Sequence, residues 1–274
     1  MPTPIDRKFV DIDLSIVPDD HIDSDQNGPG LIEETDDEVL AASSLMSSFE
    51  TEYPHLMLTK SERKELAKKN WESQQKSVSQ IYSQGRTSAC VGFGSAQALE
   101  LTYNRRYGKE YHVSLSGMFV YRYIGRTLMS GAMISDGMKR VSKVGTLPLS
   151  NPENDSRFDL TWNILDYRKK PPSNYKEKIQ HRVTKFGTAR GGDEIESALA
   201  NNFCGIVGRS RHCVPYFGLM YEGNDSFVPY ANSWSSSWGD NGIGYDSFRT
   251  YRNLTLYVIL EVAVPTFIQI PVPT

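Results

Sequence analysis

Cysteine is scarce in this sequence of 274 residues, which contains only Cys90, Cys204 and Cys213. So few cysteines exclude a small secreted scaffold that is held together by disulfide bonds. No stretch is apolar enough to predict a membrane span, because the best candidate, 254–273, contains Glu261 and three prolines. We therefore expect no membrane partner.

An excess of positive charge is also missing. The chain has 33 acidic and 30 basic residues, a net charge of -3, which excludes a strongly basic nucleic-acid-binding protein. The first residues do not form a basic and then apolar signal segment. We therefore expect the protein to be cytoplasmic, or to be part of a particle or another assembly.

The charge is unevenly distributed along the chain. Residues 1–60 hold 14 acidic and 3 basic residues, and the remainder holds 19 acidic and 27 basic ones. We interpret 1–60 as an acidic, extended arm with a short helix that begins near Glu34. The arm is either a solvated tail or a segment that binds the basic body or an assembly partner. A polar helix over 61–75, with Ser61 as N-cap, links the arm to the main domain, 76–274.

Part of the arm matches a calcium-binding loop. Its ligand positions fall on Asp23, Asp25, Asn27 and Glu34, and Gly28 occupies the glycine position. No helix is predicted before the loop and no second loop accompanies it. Two interpretations stay open, a calcium site or an accidental match in an acidic segment, and the sequence indicates no other cofactor.

Helical patterns precede strand patterns in the main domain. The helical patterns cover 90–107, 115–129 and 134–144. The strand patterns cover 206–207, 213–221, 227–232 and 254–264. This order predicts an α+β fold with a helical half over about 76–180 and a β half over about 181–274. A cleft between the halves is the natural place for a site.

Four polar residues suggest nucleophilic chemistry. Cys90 begins a helix, where the helix dipole and free N–H groups stabilise a thiolate. Gln84, six residues earlier, places an amide donor where an oxyanion would form, beside the backbone N–H of Cys90. His212 opens one apolar strand and Asn232 ends the next, so adjacent strands would bring base and orienting group together.

These motifs resemble the papain-like cysteine peptidases over about residues 76–252. The resemblance consists of Gln84 and Cys90, His212 with Gly218, Asn232-Ser233-Trp234, and the later segment Trp238-Gly239-Asp240-Asn241-Gly242. The helix-and-turn segment 131–145 is similar to that of a disulfide-poor bacterial or viral branch. Val91 departs from the family, which has an aromatic residue after the nucleophile.

The resemblance implies a fold and a mechanism. It implies two subdomains, a helical left half and a β-barrel-like right half, with the active-site cleft between them. Cys90 would be the nucleophile, and His212 the general base and later the acid, the two forming a thiolate–imidazolium pair. Asn232 would orient His212, Gln84 would line the oxyanion hole and Trp234 would shield the Asn–His hydrogen bond. The substrate would be a peptide or protein.

Other functions remain open at this point. A catalytically idle papain-fold protein could be held in an assembly, for example a viral particle, by its arm and by the C-terminal tail, 257–273. A transglutaminase-like acyl transferase shares the Cys-then-His order, but such enzymes orient the histidine with Asp, so Asn232 disfavours this class. The arm could also inhibit the enzyme by placing 49–53 and the helix at 61–71 in the cleft, or that helix could be a plain linker.

Overall fold

Helices occupy the first part of the structure and antiparallel strands the second. The structure is a computed structural model that describes residues 31–32, 34, 46–108, 112–125, 127, 129–149, 179–209 and 211–265. The described helices are α1 (Phe49–Glu52), α2 (Lys60–Lys76), α3 (Cys90–Tyr107), α4 (Gly117–Ile124), α5 (Ile134–Lys143), α6 (Gly191–Ala200) and α7 (Phe248–Tyr251). The described strands are β1 (Val183–Arg190), β2 (Cys204–Arg209), β3 (His212–Tyr216), β4 (Met220–Glu222), β5 (Asp225–Ala231), β6 (Ile243–Ser247) and β7 (Thr255–Val262).

The strands form one antiparallel sheet that curls into a half-barrel. Its order is β1-β7-β2-β3-β5-β4, and β6 pairs with β5. The predicted α+β class, helical first and stranded second, is confirmed. The single strand predicted over 213–221 is wrong in detail. The Phe217 N–H still bonds Pro229 O of β5 at 3.1 Å, but the Leu219 N–H bonds Gln74 Oε1 of the helix Lys60–Lys76 at 3.2 Å, so the chain leaves the sheet between β3 and β4.

Helix α3 is the central element of the helical half and spans the range predicted for it. It is buried along most of its length and packs on α4, α5, β2 and β3. Its contact with α4 is close because both helices have glycine there: a Cβ atom on Gly92 would lie 2.5 Å from Gly117 O. The predicted helix over 115–129 is shorter in the structure, because α4 ends at Ile124 before Gly125. Cys90 therefore begins a helix that lies at the boundary between the two halves.

Helix α2 lies over the predicted linker helix but starts slightly earlier. Thr59, not Ser61, is the N-cap: its hydroxyl accepts the Glu62 N–H, and the Glu62 carboxylate accepts the Thr59 N–H in return. This reciprocal arrangement satisfies two otherwise free N–H groups. The predicted domain boundaries stay predictions, because most of the arm lies outside the described residues. No helix in the described part of the chain is long and apolar enough to cross a membrane.

Candidate active site

Cys90 is completely buried at the start of α3. The preceding residue, Ala89, gives the helix no side-chain cap, and the backbone N–H groups of Cys90 and Val91 point to the Cys90 thiol instead. The backbone N–H of Cys213 hydrogen-bonds the Cys90 thiol, which places this thiol beside the residue that follows His212. Burial raises the pKa of Cys90 to about 12. Burial therefore disfavours the thiolate form of Cys90.

His212 lies at the first position of β3 and is held by two neighbours. Its Nε2 atom lies 2.9 Å from Asn232 Oδ1, and the Trp234 ring stacks on the imidazole with 4.5 Å between ring centroids. Because an amide oxygen only accepts, Nε2 carries the hydrogen and Nδ1 is left as the acceptor. Burial lowers the pKa of His212 to about 4, although the hydrogen bond to Asn232 acts in the opposite direction.

The backbone holds Asn232 and Trp234 in these positions. The Asn232 N–H donates to Gly242 O at 2.8 Å, and Ser83 pairs with Trp234 in an antiparallel bridge. The Trp234 ring meets Trp238 edge to face at 5.7 Å. The stacked indole thus covers one face of the imidazole. Water therefore competes less for the groups that form the His212–Asn232 hydrogen bond.

Gln84 is buried and forms hydrogen bonds with Ser233 and Thr87. Its N–H donates to Ser233 O at 2.8 Å, and its side-chain Oε1 accepts the Ser233 hydroxyl at 2.5 Å. Its Nε2 donates to Thr87 O at 2.6 Å. An amide nitrogen has two hydrogens, so Gln84 retains one donor beyond the bond to Thr87.

Contact between helix and sheet brings Cys90 and His212 to the same junction. Strand β3 packs on α3, and Cys213 Sγ lies 2.9 Å from where a Cβ atom on Gly94 would be. Within the described residues, no hydrogen bond joins Cys90 to His212. Burial disfavours the charged forms of both side chains, and the thiolate–imidazolium pair expected from the resemblance stays a prediction. Removal of water from both groups is the physical cause.

The groove beside this junction contains a segment of the arm. Leu31 and Ile32 lie between Ala132 and Arg211, and Glu34 reaches Tyr257. The segments predicted to reach the cleft lie elsewhere: α1 packs on α6 and β1, and α2 packs on α6 and β4. No pattern in the sequence indicates Ala132 or Arg211, since each contributes only a backbone carbonyl.

The predicted calcium loop lies largely outside the described residues. Of its four ligand positions, only Glu34 is described, and its carboxylate accepts hydrogen bonds from Ser135 N and Tyr257 Oη. The described part of the chain contains no cluster of three or more residues that could hold a metal ion. The calcium site stays a prediction.

Comparison with known proteins supports the fold. No family profile and no curated protein matches the sequence. Among solved structures, digestive procathepsin L 3 of the Tenebrio molitor larval midgut superposes with a TM-score of 0.52 at 15% identity, covering 67% of each chain. A recombinant stem bromelain precursor gives a TM-score of 0.53 at 13% identity, covering 86% of this chain and 77% of the other. This chain therefore has a papain-like fold.

Proposed function

We propose that the protein is a cysteine peptidase that uses Cys90, His212, Asn232 and Gln84. The observation that carries the proposal is the His212–Asn232 hydrogen bond under the Trp234 ring, next to a cysteine at a helix start. The hydrogen bond leaves Nδ1 of His212 as the basic atom. A base with an orienting partner beside a thiol is the arrangement that activates a nucleophile.

The residues act in two stages. His212 Nδ1 takes the proton of the Cys90 thiol, and the resulting thiolate attacks the carbonyl carbon of a peptide bond. The oxygen that becomes negative is stabilised by the Cys90 N–H and by the remaining Nε2 hydrogen of Gln84. His212 then gives its proton to the leaving amine, and a thioester remains on Cys90.

Water completes the cycle. His212 removes a proton from the water molecule, the hydroxide attacks the thioester carbonyl, and the C–S bond breaks. The thiolate regains the proton from His212, so the products are a carboxylic acid, an amine and the original thiol. Asn232 keeps the imidazole in the tautomer that both stages need.

Two observations favour a second function. The complete burial of Cys90 and the presence of an arm segment in the groove are also expected of a papain-fold protein that serves as a binding module. Such a protein would be attached to a cytoplasmic or viral assembly by residues 1–60 and by the C-terminal tail. Only a functional measurement separates these two proposals.

Turnover of a fluorogenic peptide library by the full-length protein tests the peptidase. Cys90→Ser should lower turnover at least about a thousandfold, because a hydroxyl is a far weaker nucleophile here. Cys204→Ser is the matched control, since Cys204 is a buried thiol on β2 that Thr102 can hydrogen-bond, and it should retain activity. Equal turnover by the two variants, or none by the wild type, would defeat the proposal.

A further inference from the structure

The arm segment in the groove binds both walls through its backbone. The Leu31 N–H donates to Arg211 O at 3.0 Å, and the Ile32 N–H donates to Ala132 O at 3.0 Å. Leu31 and Ala132 form a parallel bridge. Arg211 directly precedes His212, so the segment is hydrogen-bonded to the backbone next to the proposed base. The groove thus accommodates an extended peptide, with one hydrogen bond to each wall.

The Leu31 side chain fits against a glycine on the sheet. Its Cδ2 atom lies 2.8 Å from the position that a Cβ atom on Gly208 would take, and Ile134 is adjacent to the same position. Any larger residue at 208 would therefore collide with the leucine. Leu31 also packs against the hydrophobic core that contains Cys90. This part of the groove receives an apolar side chain.

Three residues further on, the groove receives a carboxylate. The Glu34 side chain accepts the Tyr257 hydroxyl at 2.6 Å and the Ser135 N–H at 3.3 Å. Ser135 is the second residue of α5, where N–H groups have no partner within the helix and the helix dipole favours negative charge. Tyr257 is a buried strand residue. Two donors from different elements therefore converge on the two oxygens of one carboxylate.

We infer that the Ser135 N–H and the Tyr257 hydroxyl form a carboxylate-binding subsite, so that the groove selects acidic peptides with an apolar residue three positions before the acid. Leu31, Ile32 and Glu34 are the occupants that the chain itself supplies, and a peptide from another molecule must displace them. The inference names the ligand class for the cleft of the proposed peptidase, and in that sense it rests on the proposed function.

Peptide binding tests the inference without requiring turnover. Two dye-labelled peptides carry the sequence of residues 29–36, one with glutamate at the position of Glu34 and one with glutamine there. Fluorescence anisotropy measures their affinity for the full-length Glu34→Gln protein, in which the internal carboxylate is removed. The acidic peptide should bind about tenfold more tightly, since hydrogen bonds to a charged group are stronger than those to an amide.

Three comparisons sharpen the test. Wild type should bind the acidic peptide about tenfold more weakly than Glu34→Gln does, because its own segment competes. Glu33→Gln removes the same charge one position away and should behave like wild type. Tyr257→Phe, combined with Glu34→Gln, should reduce the preference for the acidic peptide. The two-peptide comparison needs only the Glu34→Gln protein, so it stays decisive if the tyrosine variant does not fold.

The outcomes separate this inference from the proposed function. Equal affinity for the two peptides, or no binding of either, would overturn the carboxylate subsite. Selective binding without any turnover would support the subsite and count against the peptidase. Turnover of library peptides without a preference for the acidic peptide would support the peptidase and overturn the subsite.

Discussion

The two halves of the molecule bury charge in different ways. In the helical half, Glu100 of α3 lies completely buried, and its carboxylate accepts hydrogen bonds from Ser79 Oγ at 2.6 Å, Leu115 N at 3.0 Å and Tyr82 Oη. In the β half, the buried Glu196 of α6 is paired with Arg63, whose Nε lies 2.8 Å from its Oε2. Both carboxylates accept hydrogen bonds from neutral donors, which for Glu196 are the hydroxyls of Ser226, Tyr221 and Tyr251. Of the two, Glu196 alone also has a cation beside it.

The difference shows how each half tolerates a buried carboxylate. Burial raises the pKa of Glu100 to about 7, so this group can avoid the cost of burial by holding a proton. Glu196 instead relies on a guanidinium from outside its own half, supplied by α2. The buried negative charge of the β half is therefore neutralised by a residue of the linker helix α2. In the helical half, the stability that Glu100 contributes depends on pH.

Removing the cation should have the largest effect on stability. Arg63→Met leaves Glu196 buried without its partner and also breaks the ion pair with Asp193, so the free energy of unfolding should fall by about 3–5 kcal/mol. Urea denaturation measures the loss. Lys76→Met, which breaks the exposed pair with Glu72, is the control and should leave the midpoint unchanged.

A second substitution identifies the cause. Glu196→Gln, added to Arg63→Met, removes the unpaired charge and should recover part of the lost stability. If Arg63→Met alone is as stable as wild type, then α2 does not balance Glu196 and the contrast between the halves fails.

Titration of Glu100 should change the free energy of unfolding somewhat less than Arg63→Met does. Its pKa rises from an ordinary 4.5 to about 7, so between these values the folded protein keeps a proton that the unfolded chain has lost. Its contribution to stability therefore declines as pH rises through this window, by about 3 kcal/mol in total, and is constant above it. The measurement is urea unfolding of wild type and Glu100→Gln from pH 4.5 to 8.

The difference between these two proteins isolates the glutamate. Buried histidines such as His181 contribute with the opposite sign, because burial lowers the pKa of His181 to about 4, but that contribution is common to both proteins and cancels. The stability of wild type relative to Glu100→Gln should fall as pH rises. A difference that stays constant across the range would show that Glu100 does not titrate in this window.

Close packing of helices in the helical half gives the smallest predicted effect. Gly92→Ala places a Cβ atom 2.5 Å from the backbone oxygen of Gly117, which cannot rotate away, so we expect a loss of about 1–3 kcal/mol in thermal unfolding. Gly137→Ala is the matched control on α5. The atoms nearest to its Cβ would be side-chain atoms of Ser95 and Val91, which can move more easily than backbone, and we expect a smaller loss. Equal losses would contradict the importance of the backbone contact.

Much of the fold could be predicted from local patterns. The helix over 90–107 has the predicted bounds because its sequence contains no proline and is followed by Gly108, whose positive φ of 78° ends the helix. The start of α2 was predicted two residues late, since Thr59 and Ser61 are both capable caps and only Thr59 has glutamate three residues on. The break after β3 was missed because 213–221 is continuously strand-like, while its separation depends on Gln74 of α2.

The features of the candidate site also fall into those that local sequence predicts and those that depend on the tertiary structure. The sequence by itself determined which side chains are available: a cysteine at a helix start, a histidine and an asparagine at strand ends, and a glutamine just upstream. Only the tertiary structure decided that Cys90 and His212 are buried and that Leu31, Ile32 and Glu34 lie beside them. Residue type and spacing set local geometry, whereas burial and long-range hydrogen bonds depend on which distant segments fold against each other.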